Sequence, residues 1–212
     1  MGRTIVCIGD SITDCNRQTD PRGLGGGYVD FVAAALRERG DDATIVNTGI
    51  SGDRVEHLQE RWQVDALDHR PDVLSIYIGV NDTLVAFFQG RATPPDLFEQ
   101  RYTDILGRSK AAGVPRLIVV DPFYVENTDE WAQWREGNAF ARADLDLKRP
   151  IVRRLAERFG AAFVPLQDAM DEAVKERGPG VVAADGVHPS AFGSALIARL
   201  WLTAYDSLEE VA

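Results

Sequence analysis

The sequence TIVCIG at Thr4–Gly9 decides the fold, because it is short, uncharged, rich in β-branched residues and closed by glycine. Such a run is typical of a strand that is buried on both faces, as in a parallel sheet covered by helices. The residues that follow are Asp10 and Ser11. Open parallel sheets have their active sites at the carboxyl ends of the strands, so Ser11 lies where a functional side chain is expected.

Strand-like and helix-like segments alternate along the rest of the chain. Four further strands are predicted at Thr44–Asn47, Val73–Ile78, Arg116–Val120 and Ala162–Pro165. Apolar residues at helical spacing predict helices at Tyr28–Arg39, Arg54–Leu67, Pro95–Ala112, Trp131–Phe159, Leu166–Arg177 and Ser190–Ser207. This alternation predicts an α/β protein whose parallel sheet has helices on both faces. No linker or internal repeat divides it, so we expect residues 1–212 to form a single domain.

Composition and charge exclude several classes of partner. The 212 residues are 45% apolar, and 23 basic against 33 acidic side chains leave a net charge of -10. Nucleic acid and anionic membranes would repel such a chain, so neither is expected as a partner. The apolar runs are strand-sized and the amino terminus lacks the pattern of a signal peptide. We therefore expect a soluble cytoplasmic protein.

Two features that could indicate other chemistry point to structural roles. Cys7 and Cys15, with no further cysteines, fit neither a disulfide framework nor a zinc site. The glycine-rich stretch Gly23–Gly27 lies about a dozen residues after the first strand, too far for a dinucleotide fingerprint. We interpret it as a flexible rim over the site, and whether it acts as a lid stays open.

Three predicted strand ends bring polar groups to one edge of the sheet. The second strand leads to Gly52, the third leads to Asn81, and the first leads to Ser11. Acyl transfer needs a nucleophile and donors for the oxygen that becomes negative. The Gly52 and Ser11 N–H groups and the Asn81 carboxamide could supply those donors. His188, three residues after Asp185, is the candidate base for the Ser11 hydroxyl.

Together these residues resemble the SGNH hydrolases, also called the GDSL family. The four sequence blocks of that family are matched in order, across nearly the whole chain, by Gly9–Ser11, Gly52, Gly79–Asp82 and Asp185–Pro189. The resemblance implies a three-layer α/β/α sandwich with a flavodoxin-like five-stranded parallel sheet. It also implies a catalytic triad and an oxyanion hole, without metal or cofactor. The triad would be Ser11, Asp185 and His188, and the hole would comprise Ser11, Gly52 and Asn81.

The wider context is similar to the bacterial acetylxylan esterase branch of this family. The similarity lies in GDSITDC, GGYV, GISG followed by Arg61–Trp62, and VHPS. It implies a serine esterase that forms an acyl-enzyme on Ser11, acts on a small-molecule or oligosaccharide acetyl ester such as an acetylated xylo-oligosaccharide, and assembles as a homo-oligomer. Ala184 departs from the branch, where an aromatic residue often precedes the triad aspartate, so pocket shape and acyl preference are not carried over.

Two alternatives stay open at this stage. One is an esterase, thioesterase or lysophospholipase of the same family acting on a non-sugar ester, and the other is an inactive carbohydrate-binding module. The four tryptophans could stack on sugar rings or pack in the core. Structural roles are expected for the remaining polar candidates: a helix cap for Asp53, turn and hydrogen-bond support for Asp10 and Asp82, and ordinary packing or surface positions for His57 and His69.

Overall fold

The computed structural model describes residues 2–126 and 135–208, and its centre is a parallel sheet. The strands are β1 (Thr4–Gly9), β2 (Thr44–Asn47), β3 (Val73–Tyr77), β4 (Arg116–Val120) and β5 (Ala162–Val164). Within the described residues they form one five-stranded sheet in the order β2-β1-β3-β4-β5. This is the flavodoxin-like order, so the predicted sheet is confirmed.

The helices cover both faces of the sheet. In chain order they are α1 (Ser11–Asp14), α2 (Tyr28–Glu38), α3 (Val55–Asp65), α4 (Val80–Gln89), α5 (Pro95–Ala111), α6 (Arg135–Arg158), α7 (Gln167–Arg177), α8 (Pro179–Val182) and α9 (Ala191–Ser207). Short 3-10 turns occur at Arg17–Thr19 and Leu67–His69. The six predicted helices agree to within a few residues, except that the first residues of the predicted Trp131–Phe159 helix lie outside the described ranges.

The sequence interpretation missed helix α4. Its sequence VNDTLVAFFQ contains β-branched, aromatic and short polar residues, all of which are weak helix formers. It also follows β3 after only two residues, Ile78 and Gly79, so no separate loop announces it. Tertiary packing overrides this weak local preference, and the helix contacts α6.

Alternate residues of β1 enter two separate cores, as expected for a strand buried on both faces. Ile5 and Cys7 belong to the cluster on the side of α2 and α9. Val6 and Ile8 belong to the cluster on the side of α3 and α5. Cys7 is fully buried in the first cluster, which confirms its predicted structural role. Across the described ranges, none of the helices has the length and hydropathy needed to cross a bilayer.

Candidate active site

Ser11 is presented by a short turn between β1 and helix α1. Asp10 caps that helix, with its Oδ1 accepting a hydrogen bond of 3.0 Å from the N–H of Ile12. Ser11 is the first helical residue, and N–H groups in a first turn have no intrahelical acceptor. The turn therefore presents both the hydroxyl and the amide of Ser11 at the sheet edge. The predicted supporting role of Asp10 is confirmed.

Ser11, His188 and Asp185 meet in a continuous chain of contacts. Ser11 Oγ lies 2.9 Å from Nε2 of His188, which is 177 positions away in sequence. His188 Nδ1 lies 2.6 Å from Asp185 Oδ2. The other carboxylate oxygen, Oδ1, accepts N–H groups from Val187 at 2.9 Å and His188 at 2.8 Å. The structure thus brings together a hydroxyl, an imidazole and a carboxylate that is fixed at both oxygens.

The charge states of Asp185 and His188 are those that a histidine base requires. Although burial acts to raise the pKa of Asp185, hydrogen bonds from the His188 ring and from main-chain N–H groups lower it to about 2 from its usual 3.8. The hydrogen bond with Asp185 raises the pKa of His188, against the opposing effect of burial. The two side chains are 51% and 55% exposed, so the ring lies at the surface, open to a ligand. Asp185 is ionised at neutral pH, and its charge makes His188 a stronger base.

Main-chain bonds fix the loop that carries Asp185 and His188. Gly186 has a φ of 86°, and a Cβ there would lie 2.7 Å from the main-chain oxygen of Val125. Its own oxygen accepts the N–H of Val125 at 2.9 Å. The preceding residue, Tyr124, is bound through both main-chain atoms by the buried side chain of Gln167, at 2.9 and 3.0 Å. Gln167 and Tyr124 are supports that the sequence interpretation missed.

The loop after β2 brings Gly52 to the same edge as Ser11. The N–H of Ile50 donates to the oxygen of Gly9 at 3.0 Å, which ties this loop to the end of β1. A turn closed by the N–H of Asp53 and the oxygen of Ile50 follows, at 3.2 Å, and gives Gly52 a φ of 85°. This left-handed conformation suits glycine.

Asn81 lies in the first turn of α4 and contacts the same loop. Its Nδ2 donates to the main-chain oxygen of Asp53 at 3.0 Å. A carboxamide nitrogen carries two N–H groups, so this bond orients the side chain and leaves the second donor available. The Asn81 side chain is thereby held beside the residue that follows Gly52.

Asp82 joins α4 to the start of α3. It is fully buried, and its Oδ2 accepts the N–H of Val55 at 3.0 Å. Its main-chain oxygen accepts the N–H of Thr93 at 2.7 Å. Burial raises the pKa of Asp82 to about 6 and that of Asp10 to about 7. The predicted role of Asp82 in the hydrogen-bond network is confirmed.

The expectation that Asp53 caps a helix is wrong. Helix α3 begins one residue later than that role requires, after Arg54, whose N–H is accepted by Nδ1 of His57 at 3.1 Å. The Asp53 carboxylate instead accepts a hydrogen bond of 2.7 Å from Nε of Arg61. His57 has the structural role expected, and His69 is exposed at the surface.

The expectation of a flexible glycine-rich rim also needs correction. The Asp20 carboxylate accepts the N–H of Leu24 at 3.2 Å and that of the next residue at 3.1 Å. The main-chain oxygen of Cys15 accepts the N–H of Gly26 at 2.9 Å, and Asn47 Nδ2 donates to the main-chain oxygen of Leu24 at 2.8 Å. Four hydrogen bonds thus anchor the middle of Gly23–Gly27.

The other candidate residues have structural surroundings. Burial raises the pKa of the Cys15 thiol, which disfavours the reactive thiolate. Trp62 and Trp201 are fully buried, so they pack in the two cores rather than against a sugar. Trp131 and Trp134 lie outside the described residues. In the described part of the chain, no group of three His, Cys, Asp or Glu side chains is arranged to hold a metal ion.

Comparisons with known proteins identify similar sequences and similar structures. Residues 7–196 match the GDSL-like lipase/acylhydrolase family. An acetylxylan esterase from Geobacillus stearothermophilus is 33% identical over an alignment of 213 positions, which covers 95% of this chain and 93% of that protein. Its crystal structure is similar with a TM-score of 0.83 over 96% of this chain and 94% of that one, at 32% identity. A structure assigned as a GDSL-like lipase from Parabacteroides merdae has a TM-score of 0.83 at 35% identity, covering 95% and 94% of the two chains.

Variants of the Geobacillus esterase offer a further comparison. Three that are called catalytic mutants carry alanine in place of a serine, an aspartate and a histidine, and the last two lie three positions apart. Another variant replaces a tryptophan that directly precedes that aspartate. In the present chain, Asp185 and His188 have the same spacing, and Ala184 precedes the aspartate.

Proposed function

This chain belongs to the GDSL-like lipase/acylhydrolase family and is a carboxylic ester hydrolase, and we propose that it removes acetyl groups from xylo-oligosaccharides through an acyl-enzyme on Ser11. The observation that carries the proposal is the chain of contacts from Ser11 Oγ to His188 at 2.9 Å and from His188 to Asp185 at 2.6 Å. The acetyl group and the sugar are proposed from the similarity to an acetylxylan esterase over 95% of the chain.

In the first half of the reaction, Ser11 is acylated. His188 Nε2 takes the hydroxyl proton as Ser11 Oγ attacks the ester carbonyl carbon, and the carbonyl electron pair moves onto oxygen. The N–H groups of Ser11 and Gly52 and the free N–H of Asn81 stabilise that oxyanion. Asp185 accepts the Nδ1–H bond, which fixes the ring tautomer and stabilises the imidazolium. The sugar alkoxide leaves with the proton from Nε2.

In the second half, water releases the acetate. His188 takes a proton from a water molecule, whose oxygen attacks the acyl carbon through the same oxyanion arrangement. The bond between the acyl carbon and Ser11 Oγ then breaks, and the serine recovers its proton from His188. Water is the only co-reactant that these steps consume, and the products are the free sugar hydroxyl and acetic acid, which ionises to acetate and a proton.

The test of the nucleophile is replacement of Ser11 by alanine. We expect Ser11→Ala to remove nearly all hydrolysis of a chromogenic acetate ester and all labelling by a fluorophosphonate. The matched control is Ser109→Ala, because Ser109 is a buried serine of α5 that donates to the oxygen of Ile105 at 2.8 Å, far from the site in the fold. A folded Ser11→Ala protein with unchanged turnover would refute the assignment, and a wild-type chain that neither reacts nor hydrolyses would favour the binding module.

The test of the substrate is a series of esters. Acetyl, butyryl and octanoyl esters of one alcohol measure acyl preference, and acetate release from acetylated xylo-oligosaccharides measures the sugar. Faster hydrolysis of a thioester or a lysophospholipid would favour the alternative within the family. Alanine stands directly before Asp185 in this chain, where the Geobacillus esterase has a tryptophan before its aspartate, so acceptors bulkier than xylose are included in the series. Homo-oligomerisation and a cytoplasmic location stay predictions.

A further inference from the structure

Arg61 binds main-chain and side-chain atoms from two of the loops that form the candidate site. Its Nε donates to Asp53 Oδ2 at 2.7 Å, and its Nη1 donates to the oxygen of Thr48 at 2.7 Å. Its Nη2 donates to the oxygen of Gly9 at 3.0 Å. The side chain is only 14% exposed, and Nη1 also donates to Asp65 Oδ2 at 2.9 Å. Every nitrogen of the guanidinium therefore has an acceptor.

Two of these acceptors, Gly9 and Asp53, are close to the proposed oxyanion donors. Gly9 lies two residues before Ser11 at the end of β1. Asp53 directly follows Gly52, and its main-chain oxygen accepts the hydrogen bond of 3.0 Å from Asn81. Arg61 thus contacts the chain beside Ser11 and beside Gly52, and it reaches Asn81 through a single residue.

We propose that Arg61 is a positioning residue that holds the three donors of the oxyanion hole in their relative places. This inference rests on the proposed function. Only arginine suits the position, because its planar fork directs N–H groups toward acceptors in different directions. A lysine ammonium is a compact group on a flexible stem and cannot span the same set. Donors misplaced by a fraction of an ångström stabilise the developing charge less, while the ground-state ester is little affected.

Arg61 also compensates a charge next to the hole. Burial raises the pKa of Asp53, and the Arg61 cation acts in the opposite direction through its charge and its hydrogen bond. An ionised and unpaired Asp53 beside Gly52 would repel an oxyanion. Loss of the guanidinium therefore weakens the hole in two ways, since the donors lose alignment and the carboxylate loses its partner.

The test compares Arg61→Met and Arg61→Lys with the wild-type protein in steady-state kinetics on an acetate ester. We expect kcat to fall by about 10- to 1,000-fold in Arg61→Met, with KM changed by less than about threefold. The upper end of this range is the fall in kcat that follows removal of one oxyanion donor. Arg61→Lys should not restore kcat. The affinity for a boronic acid, which mimics the tetrahedral intermediate, should fall in parallel with kcat/KM, whereas a merely structural role would not link the two.

A matched control and a milder variant keep the inference falsifiable. Arg108→Met removes another guanidinium bound to α3, where Arg108 donates to the oxygen of Gln59 at 2.8 Å, and kcat should stay within twofold. If Arg61→Met does not fold, Asp53→Asn weakens the hydrogen bond to Arg61 with little change in shape. A smaller fall in kcat at constant KM is expected there, because the alignment of the loop is weakened while the repelling carboxylate is removed. Folded variants at both positions with unchanged kcat would overturn the inference.

Ser11→Ala, measured in parallel, separates this inference from the proposed function. Loss of hydrolysis in Ser11→Ala with no effect of the Arg61 variants refutes the positioning role alone. Wild-type hydrolysis that does not depend on Ser11 refutes both.

Discussion

Asp185 can be changed so that the loop is preserved and only the chemistry of His188 is lost. In Asp185→Asn, the carboxamide oxygen replaces Oδ1 and continues to accept the N–H groups of Val187 and His188, now 2.9 and 2.8 Å away. That choice directs the NH2 group toward His188 Nδ1, which at present lies 2.6 Å from Oδ2. An NH2 group donates and cannot accept, so Nδ1 must lose its proton and Nε2 must carry one. The nitrogen that faces Ser11 then cannot act as a base.

The wrong tautomer of His188 determines how far kcat falls in Asp185→Asn. We expect kcat to fall about 10⁴-fold, the loss that this tautomer causes in serine hydrolases with a triad, which corresponds to about 5.4 kcal/mol of transition-state stabilisation. KM should change little, because Asp185 contacts the histidine and not the ester. Stability should also change little, since the two main-chain bonds remain.

The pH profile gives a second measure of the same change. Hydrolysis needs the neutral imidazole, so kcat/KM of the wild type should rise with pH through the pKa of His188, which the hydrogen bond with Asp185 raises above 6.5. In Asp185→Asn that raising contact is lost, so the midpoint of the residual activity should move to lower pH.

The assay is hydrolysis of a chromogenic acetate ester from pH 5 to 9. The control is Asp168→Asn, because Asp168 is 87% exposed on α7 and undergoes the same change of charge. A variant at Asp185 that retains more than a tenth of the wild-type plateau, or a midpoint that does not move, would refute the reasoning about the tautomer.

Three further predictions concern the surroundings of the site. In steady-state kinetics, Asn81→Ala should lower kcat by about 10²- to 10³-fold with KM nearly constant, because one proposed oxyanion donor is removed. An effect confined to KM would contradict that role. Gly186→Ala should lower the free energy of unfolding in urea by about 1–3 kcal/mol, since φ is 86° and the new Cβ would lie 2.7 Å from the Val125 oxygen. An unchanged midpoint of urea unfolding would show that the loop can adjust. Ala184→Trp should reduce kcat/KM for esters of bulky alcohols more than for methyl or ethyl esters, because it narrows the entrance beside Asp185; equal effects on both would argue against a wall at this position.

The strands and the residues of the candidate site could be predicted because their signals are local. Thr4–Gly9 is buried on both faces and contains only residues suited to that environment, so its composition alone indicates a central parallel strand. The order and spacing of their sequence blocks predict that Ser11 and the pair Asp185 and His188 act together, and the structure brings the three side chains into contact. Helix α4 gave no such signal, because its stability comes from packing against α6 rather than from the propensities of its own residues.

The errors at Asp53 and at Gly23–Gly27 share a physical cause. Both expectations treated a side chain or loop as if only its neighbours in sequence were available as partners. Asp53 is a reasonable cap residue, but Arg61 lies two helical turns further along α3 and binds its carboxylate at 2.7 Å. The glycine-rich loop has little stabilising chemistry of its own, but Asn47, 23 positions from Leu24 in the sequence, donates to the Leu24 oxygen at 2.8 Å.

Asn47 shows why the supporting residues are harder to identify than the reacting ones. Its Nδ2 donates to the main-chain oxygens of Thr13 at 2.6 Å and Leu24 at 2.8 Å, and its Oδ1 accepts the N–H of Gly49 at 2.9 Å. Main-chain N–H and C=O groups occur at almost every residue, whatever its side chain. The residue type of the partner therefore gives no sign in the sequence that Asn47 will bind there. Arg61 and Gln167 likewise bind main-chain oxygens that come close only after the strands have paired. A group that reacts must be a particular side chain, so it produces a pattern in the sequence. A group that positions it needs only an acceptor in the right place, and the topology of the sheet supplies that acceptor.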